Sequence, residues 1–206
     1  MAKGKFNLNI MQVVLTRHGQ TEENIAGILQ GHLPGVLSDL GKEQAQKLAR
    51  RLREESFAAI YSSDLARAAD TAGFVAKFHP HTPLVFIPEL RERYLGEYQG
   101  RIKAEVGWDQ NLPQDQIVMP SDGENDLAMY LRAEKLLQDL YLKHGEERIL
   151  LVCHADISRF LTAVMSNLSL AEMAEVRGLR NTAVSEFDYH PFNSRVLYLN
   201  DVQHLE

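Results

Sequence analysis

Residues 11–19 read Met-Gln-Val-Val-Leu-Thr-Arg-His-Gly, and residues 149–156 read Ile-Leu-Leu-Val-Cys-His-Ala-Asp. Each is a short apolar run of strand length that breaks off at a histidine and leads into a turn and a helix. The same alternation extends outward from both stretches. Ala58 to Ser62 reads as a strand, as does Leu84 to Ile87, which Pro88 closes; Ala183 to Phe187 and Arg195 to Leu199 are later candidates. Helical periodicity runs from Gly41 to Glu54, where Leu48 and Leu52 sit one turn apart and Ser38 or Asp39 is placed to cap the start. Leu65 to Phe78, Leu127 to Lys143 and Ile157 to Ser166 also read as helices. Apolar strands separated by helices predict a mostly parallel sheet covered on both faces. The expected fold is therefore α/β: a single three-layer α/β/α domain over residues 1–206, with helices flanking a central sheet.

Composition agrees with that reading and removes several function classes. The chain has 206 residues, 45% hydrophobic and 24% charged, enough to bury a core without staples. No apolar run is long enough to span a membrane. The only cysteine is Cys153, which excludes an internal disulfide and a cysteine-cluster zinc site and suits a reducing, cytoplasmic setting. The net charge of −6, with no run of Lys and Arg, argues against nucleic acid and anionic membranes as partners. A small anionic substrate is compatible with it if one pocket is locally basic. Residues 1–10 read as an N-terminal extension with no signal-peptide core. Helical and strand periodicity both fail over residues 101–125, which hold Trp108 and read as a lid-like loop insertion.

In an open α/β sheet, ligands bind at the carboxyl ends of the strands. Four such ends carry unusual side chains here. The first runs into Arg17-His18-Gly19, with Thr21 placed to cap the next turn of chain. The second ends at Ser62-Ser63-Asp64, with Arg67 in the first turn of the next helix. Glu89-Leu90-Arg91-Glu92-Arg93 comes after the third, and the fourth ends at His154, with Asp156 as a possible helix cap. A single strand-end histidine is usually a hydrogen-bonded structural residue, Arg67 alone a solvated helix residue, and Arg91-Glu92-Arg93 a solvated turn. Their coincidence on one rim is what points to chemistry. A cation at a helix N-terminus opposes the helix dipole and becomes sensible if an anion sits there. Two Arg and two His beside a Glu are the parts that phosphoryl transfer needs. His79-Pro80-His81 has no third metal ligand nearby and reads as an exposed loop.

These residues resemble the histidine phosphatase superfamily, also called phosphoglycerate mutase-like, whose signature is an Arg-His-Gly motif. The match runs in order through Leu15 to Thr21, Asn24, Gln30-Gly31, Leu37 to Gly41, Gln44-Ala45, Ser62 to Ala68, Leu90 to Arg93 with Gly96 and Gly100, Val152 to His154, and Asn181 to Ala183. The resemblance implies that His18 is phosphorylated during turnover. It makes Arg17, Arg67 and His154 the holders of the phosphoryl oxygens and Glu92 the proton donor. Asn24, Gln30 and Gly31 would line the phosphate pocket, and no metal or other cofactor is expected.

The family contains mutases and phosphatases. Arg93 and Lys103 match substrate-binding positions of the cofactor-dependent mutases. Against that reading, Leu95 replaces a Tyr, and Ala155-Asp156 stands beside His154 where mutases carry Gly-Asn. The substrate would then meet Ala155. Residues 104–125 add Glu105, Asp109, Asp115, Asp122 and Glu124, an acidic lid expected to repel a phosphorylated carboxylate. The favoured expectation is a metal-independent phosphomonoesterase acting on a small phosphate ester through a phosphohistidine on His18. A phosphoglycerate mutase and a non-catalytic phosphate-binding module on the same fold are the alternatives; the second is disfavoured because His18, Glu92 and both arginines are present.

Overall fold

The computed structural model describes residues 9–108 and 118–206. Six strands, β1 (Met11–Arg17), β2 (Ala59–Ser62), β3 (Leu84–Phe86), β4 (Arg148–Cys153), β5 (Val184–Tyr189) and β6 (Arg195–Asp201), form one sheet in the order β3-β2-β4-β1-β5-β6. The pairings β3-β2, β2-β4 and β4-β1 are parallel, whereas β5 runs antiparallel to β1 and β6 antiparallel to β5. The helices are α1 (Glu22–Ile25), α2 (Asp39–Leu52), α3 (Ala66–Ala76), α4 (Asp126–His144) and α5 (Ala155–Met165).

Strand alternation divides the core between the two faces. Val13 and Leu15 of β1, with Ile149 and Leu151 of β4, pack with Met129, Leu137, Phe160 and Leu161 of α4 and α5. Val14, Leu150 and Val152 point the other way, onto Leu48 and Leu52 of α2 and Ala68 and Val75 of α3. Successive side chains of a strand face opposite sides, so an uninterrupted apolar strand feeds both layers. Each fully buried Leu or Ile is worth about 1.5–3 kcal/mol. The three-layer α/β domain read from the sequence is therefore the observed one.

Local chemistry sets the helix starts. Ser38 caps α2, its hydroxyl accepting from Gly41 N–H at 3.0 Å, which decides between it and Asp39. Thr21 and Asn24 form a reciprocal capping box on α1. Asp156 is not the cap of α5: His154 occupies the N-cap position and makes no side-chain capping bond, while Asp156 lies inside the first turn. His79 also departs from expectation. It is buried and packs edge-on against Phe57, 5.4 Å between ring centroids, so only His81 of that pair is exposed.

Of the stretch read as a lid, residues 109–117 lie outside the described residues. Lys103–Val106 forms a 3-10 turn closed by Gly107, and Asn125 caps α4 through Ala128 N–H at 2.8 Å. No helix among the described residues is long and apolar enough to cross a membrane.

Candidate active site

Strand register brings the two histidines together. Arg17 and Cys153, the last residues of β1 and β4, are direct partners, and His18 N–H donates to Cys153 O at 3.0 Å. The next residues, His18 and His154, therefore leave neighbouring parallel strands side by side, with ring centroids 5.1 Å apart. β2 ends at the same rim, with Ser62 level with Val152, two residues before His154. The turn after His18 is very close to α2: a Cβ on Gly19 would overlap Gly41 O, and one on Gly41 would overlap Gln20 O. Both positions require glycine because backbone meets backbone.

His18 is buried, and its Nδ1 lies 2.7 Å from Gly19 O. A carbonyl only accepts, so Nδ1 carries the hydrogen and the lone pair is on Nε2. Burial, followed by the Arg67 and Arg17 charges, holds the ring well below the ordinary histidine pKa. It is a neutral imidazole with Nε2 available, Arg67 Nε lying 3.3 Å away. His154 is likewise held neutral, by burial and then by Arg67, and neither of its ring nitrogens has a partner among the described residues.

Arg67 is almost wholly buried although it sits at the second position of α3. Its guanidinium donates to the carbonyls of Gly31 at 2.8 Å and Leu33 at 2.5 Å, and burial draws its pKa down to about 10. These carbonyls, supplied by the loop after α1, stabilise the cation that the helix dipole opposes. Arg17 donates to Leu179 O at 3.0 Å, while its Nε is buried without a partner among the described residues. Asn24 and Gln30 both converge on Thr21: Asn24 through the capping box, Gln30 by donating to Thr21 Oγ1 at 2.9 Å.

Glu92 lies just past the 3-10 turn Pro88–Leu90 and replaces the missing side-chain cap of α5. Its carboxylate accepts from Asp156 N–H at 3.0 Å and Ile157 N–H at 3.2 Å. Burial and the adjacent Asp156 charge raise its pKa, against opposing pulls from Arg67, the Arg93 N–H and Arg17. Asp156 goes the other way. Burial works against its charge, but Arg93 and Arg159 outweigh burial and hold it below the usual carboxylate value.

These groups line one cleft of about 480 Å³. Arg17, His18, Asn24, Gln30, Gly31, Arg67, Glu92, Arg93, Lys103 and Ala155, all singled out in the sequence, reach its wall. His154 does not line it and sits beside His18 instead. Burial, then the neighbouring Arg17 charge, lowers the pKa of Lys103. Arg93 is a poorer fit to direct substrate binding than its position suggested. Its guanidinium is bound by Asp156, by Asp126 at 2.6 Å and by Glu124 O at 2.9 Å.

The described residues do not form the acidic lid expected from the sequence. Glu124 pairs with Arg132 at 2.9 Å, Asp122 accepts from Glu97 N–H at 3.2 Å, and Glu105 faces Arg101 at 3.5 Å. None of the three reaches the cleft, and Asp109 and Asp115 lie outside the described residues. Glu105, Asp122 and Glu124 are spent on local structure instead.

Sequence reading missed Arg159 and Arg177, which line the cleft, and the apolar wall of Ile28, Leu29, Leu95 and Trp108. Arg159 was findable: it lies four residues after Ala155, on the same face of α5. Leu95 and Trp108 were noted in the sequence, but nothing there joined them to Ile28 and Leu29, since the wall assembles from separate loops.

A family model of the histidine phosphatase superfamily (branch 1) matches residues 13–202. Phosphoglycerate mutase-like protein 4 of Arabidopsis thaliana is 32% identical over 97% of this chain and 89% of its own. A metal-independent phosphoserine phosphatase of Arabidopsis thaliana is 32% identical over 81% of this chain and 74% of its own. Among solved structures, a mycobacterial glucosyl-3-phosphoglycerate phosphatase in complex with VO3 superposes with a TM-score of 0.83. It is 27% identical, covering 93% of this chain and 99% of that one.

Proposed function

The chain belongs to the histidine phosphatase superfamily, and from that premise we propose that it is a phosphomonoesterase that hydrolyses a small phosphate ester, without a metal, through a phosphohistidine on His18. The observation that carries this reading is the state of His18: a neutral imidazole whose Nδ1–H is held by Gly19 O, with Nε2 at the cleft between two arginines.

In the first step Nε2 attacks phosphorus, the ester P–O bond breaks, and Glu92 gives its proton to the departing alkoxide. Arg17 and Arg67 offset the charge on the equatorial oxygens, and His154, off the cleft wall but with its ring 5.1 Å from that of His18, is a further donor once the phosphoryl group is drawn onto Nε2. In the second step Glu92, now ionised, takes a proton from water as the oxygen attacks phosphorus and the N–P bond breaks. Arg67 Nε–H, directed at His18 Nε2, turns to a phosphoryl oxygen when substrate binds. The organic part of the ester rests against Ile28, Leu29, Leu95 and Trp108.

The neutralisation of Arg93 by Asp156 and Asp126 weighs against the mutase reading, which took Arg93 as a substrate-binding cation. Among the described residues no group of three or more His, Cys, Asp or Glu side chains could hold a metal ion. The two relatives named as phosphatases act, by their names, on phosphoserine and glucosyl-3-phosphoglycerate, small anionic esters of the kind inferred here. A cytoplasmic setting, with neither nucleic acid nor membrane as partner, belongs to the same proposal.

The test is rapid quenching of labelled phosphate ester with enzyme in excess EDTA. Acid-labile, base-stable label on His18 is expected, with turnover nearly unchanged. Label on Ser62, Ser63 or Cys153, or activity lost to EDTA and restored by a divalent ion, would overturn the mechanism.

A further inference from the structure

Asp156 stands at the centre of a buried ionic cluster that neither helix capping nor contact with the scissile phosphate explains. One carboxylate oxygen pairs with Arg93 Nε, and the other accepts from Arg159 Nη1 at 2.8 Å. The arginine side chains are 1% and 5% exposed, and both guanidinium groups lie over the Phe160 ring, 5.3 and 5.5 Å from its centroid. The Asp156 main-chain N–H meanwhile holds Glu92 Oε1 at 3.0 Å. One residue thus touches the Glu92 carboxyl through its backbone and anchors two cations through its side chain.

We propose that Asp156 is a positioning residue for the proton donor: held between Arg93 and Arg159, its carboxylate keeps the neighbouring Glu92 carboxyl protonated in the resting enzyme. The inference rests on the reading of Glu92 as general acid.

The Asp156 carboxyl carbon is three bonds from the main-chain nitrogen that holds Glu92, and of two neighbouring carboxyl groups the proton goes to the one with fewer cations. Arg93 and Arg159 both bind the Asp156 carboxylate. Among the described residues, the Glu92 carboxyl accepts from the main-chain N–H groups of Arg93, Asp156 and Ile157. The other charged or titratable groups around it are directed elsewhere. Arg17 at the end of β1 donates to Leu179 O, and Arg67 on α3 donates to loop carbonyls and His18. His18, His154 and the Cys153 thiol are uncharged, the thiol because burial raises its pKa above the ordinary value. His32, on the loop after α1, and Arg132, on α4, reach the Glu92 main-chain oxygen and not its carboxyl. Asp156 therefore carries the permanent negative charge and Glu92 the mobile proton. Once Glu92 has protonated the leaving oxygen, its anion lies beside Asp156, which favours recovery of a proton from the attacking water.

The experiment is the pH dependence of single-turnover phosphorylation of His18 at saturating alkyl phosphate, read as the position of the basic limb. Asp156→Asn should move that limb to lower pH by about one unit. Arg159→Gln, which leaves Asp156 less compensated, should move it to higher pH. The opposite signs separate charge tuning from structural damage, which lowers the rate without moving the limb. Glu92→Gln should abolish the limb. If it does so while both other variants leave the wild-type position unchanged, the role of Asp156 is refuted and Glu92 stands. A limb that persists in Glu92→Gln refutes the acid itself, and this inference with it.

Discussion

The ends of β1 and β4 share one local design, an apolar strand broken by histidine at the entry to a helix, and the structure gives them different tasks. At the end of β1, Gly19 O pins one ring nitrogen of His18 and leaves the other on the cleft. The next helix, α1, is capped by its own Thr21. At the end of β4, His154 is fully buried with no partner on either nitrogen among the described residues, and α5 is capped by Glu92 from another segment. A strand-end histidine thus takes its function from the groups that pack around it. At β1 the capping is local and the histidine is free to react. At β4 the capping is borrowed, and it brings the proton donor to the site.

The sharpest test of this contrast is to delete each histidine. His18→Ala should reduce kcat on the order of 10⁶-fold, the scale of losing a nucleophile, with no phosphoenzyme trapped. A variant that kept substantial turnover would place the nucleophile elsewhere. Glu92→Gln should slow His18 phosphorylation by alkyl phosphates about 10²- to 10⁴-fold and by p-nitrophenyl phosphate far less, because nitrophenolate departs with little protonation. Equal slowing of both burst phases would reduce Glu92 to a capping group. His154→Ala should cost roughly 10²-fold in kcat, as for one lost oxyanion donor, while label still accumulates on His18. Loss of the label as well would make the two strand ends equivalent.

Two smaller effects concern stability. The folded pKa values of His18 and His154 are depressed, chiefly by burial, so the unfolded chain binds more protons as pH falls below about 6.5. Stability should be fully present above that pH. Below it, stability should decline by about 1.4 kcal/mol per pH unit per histidine, and His154→Ala should flatten the slope in denaturant titrations. A slope unchanged by the substitution would mean that His154 titrates freely. Thr21→Ala should cost about 1 kcal/mol by removing the local cap. Thermal unfolding that left stability unaltered would show that Asn24 and Gln30 hold that turn unaided.

Much of the site was legible because it is punctuation. His18, Arg17 and His154 interrupt apolar runs, and Arg67 sits where a cation is out of place, so their residue type conflicts with their local setting. Arg93 and Asp156 have no such conflict. A charged residue in a polar turn reads as solvated, and only tertiary packing reveals that Arg93 is buried against Phe160 and that Asp156 is paired with Arg93 and Arg159. Glu105, Asp122 and Glu124 of the lid-like segment failed as evidence for the same reason. Charge is visible along the chain, but its partner is not, and Glu124 is spent on Arg132, a residue eight positions away on α4.

The order of strands and helices, the two-faced core and the rim on which chemistry gathers were determined by the sequence alone, because period-2 and period-3.6 burial are short-range properties of the chain. Tertiary structure alone decided which nitrogen of His18 faces the cleft, that His154 stands beside it rather than on the cleft wall, and that Glu92 closes the N-terminal end of α5. Those outcomes depend on strand register and on hydrogen bonds such as the one between Glu92 and Asp156, 64 positions apart. Protonation has the same source: dielectric and neighbouring charge act through space, and sequence order does not record distance.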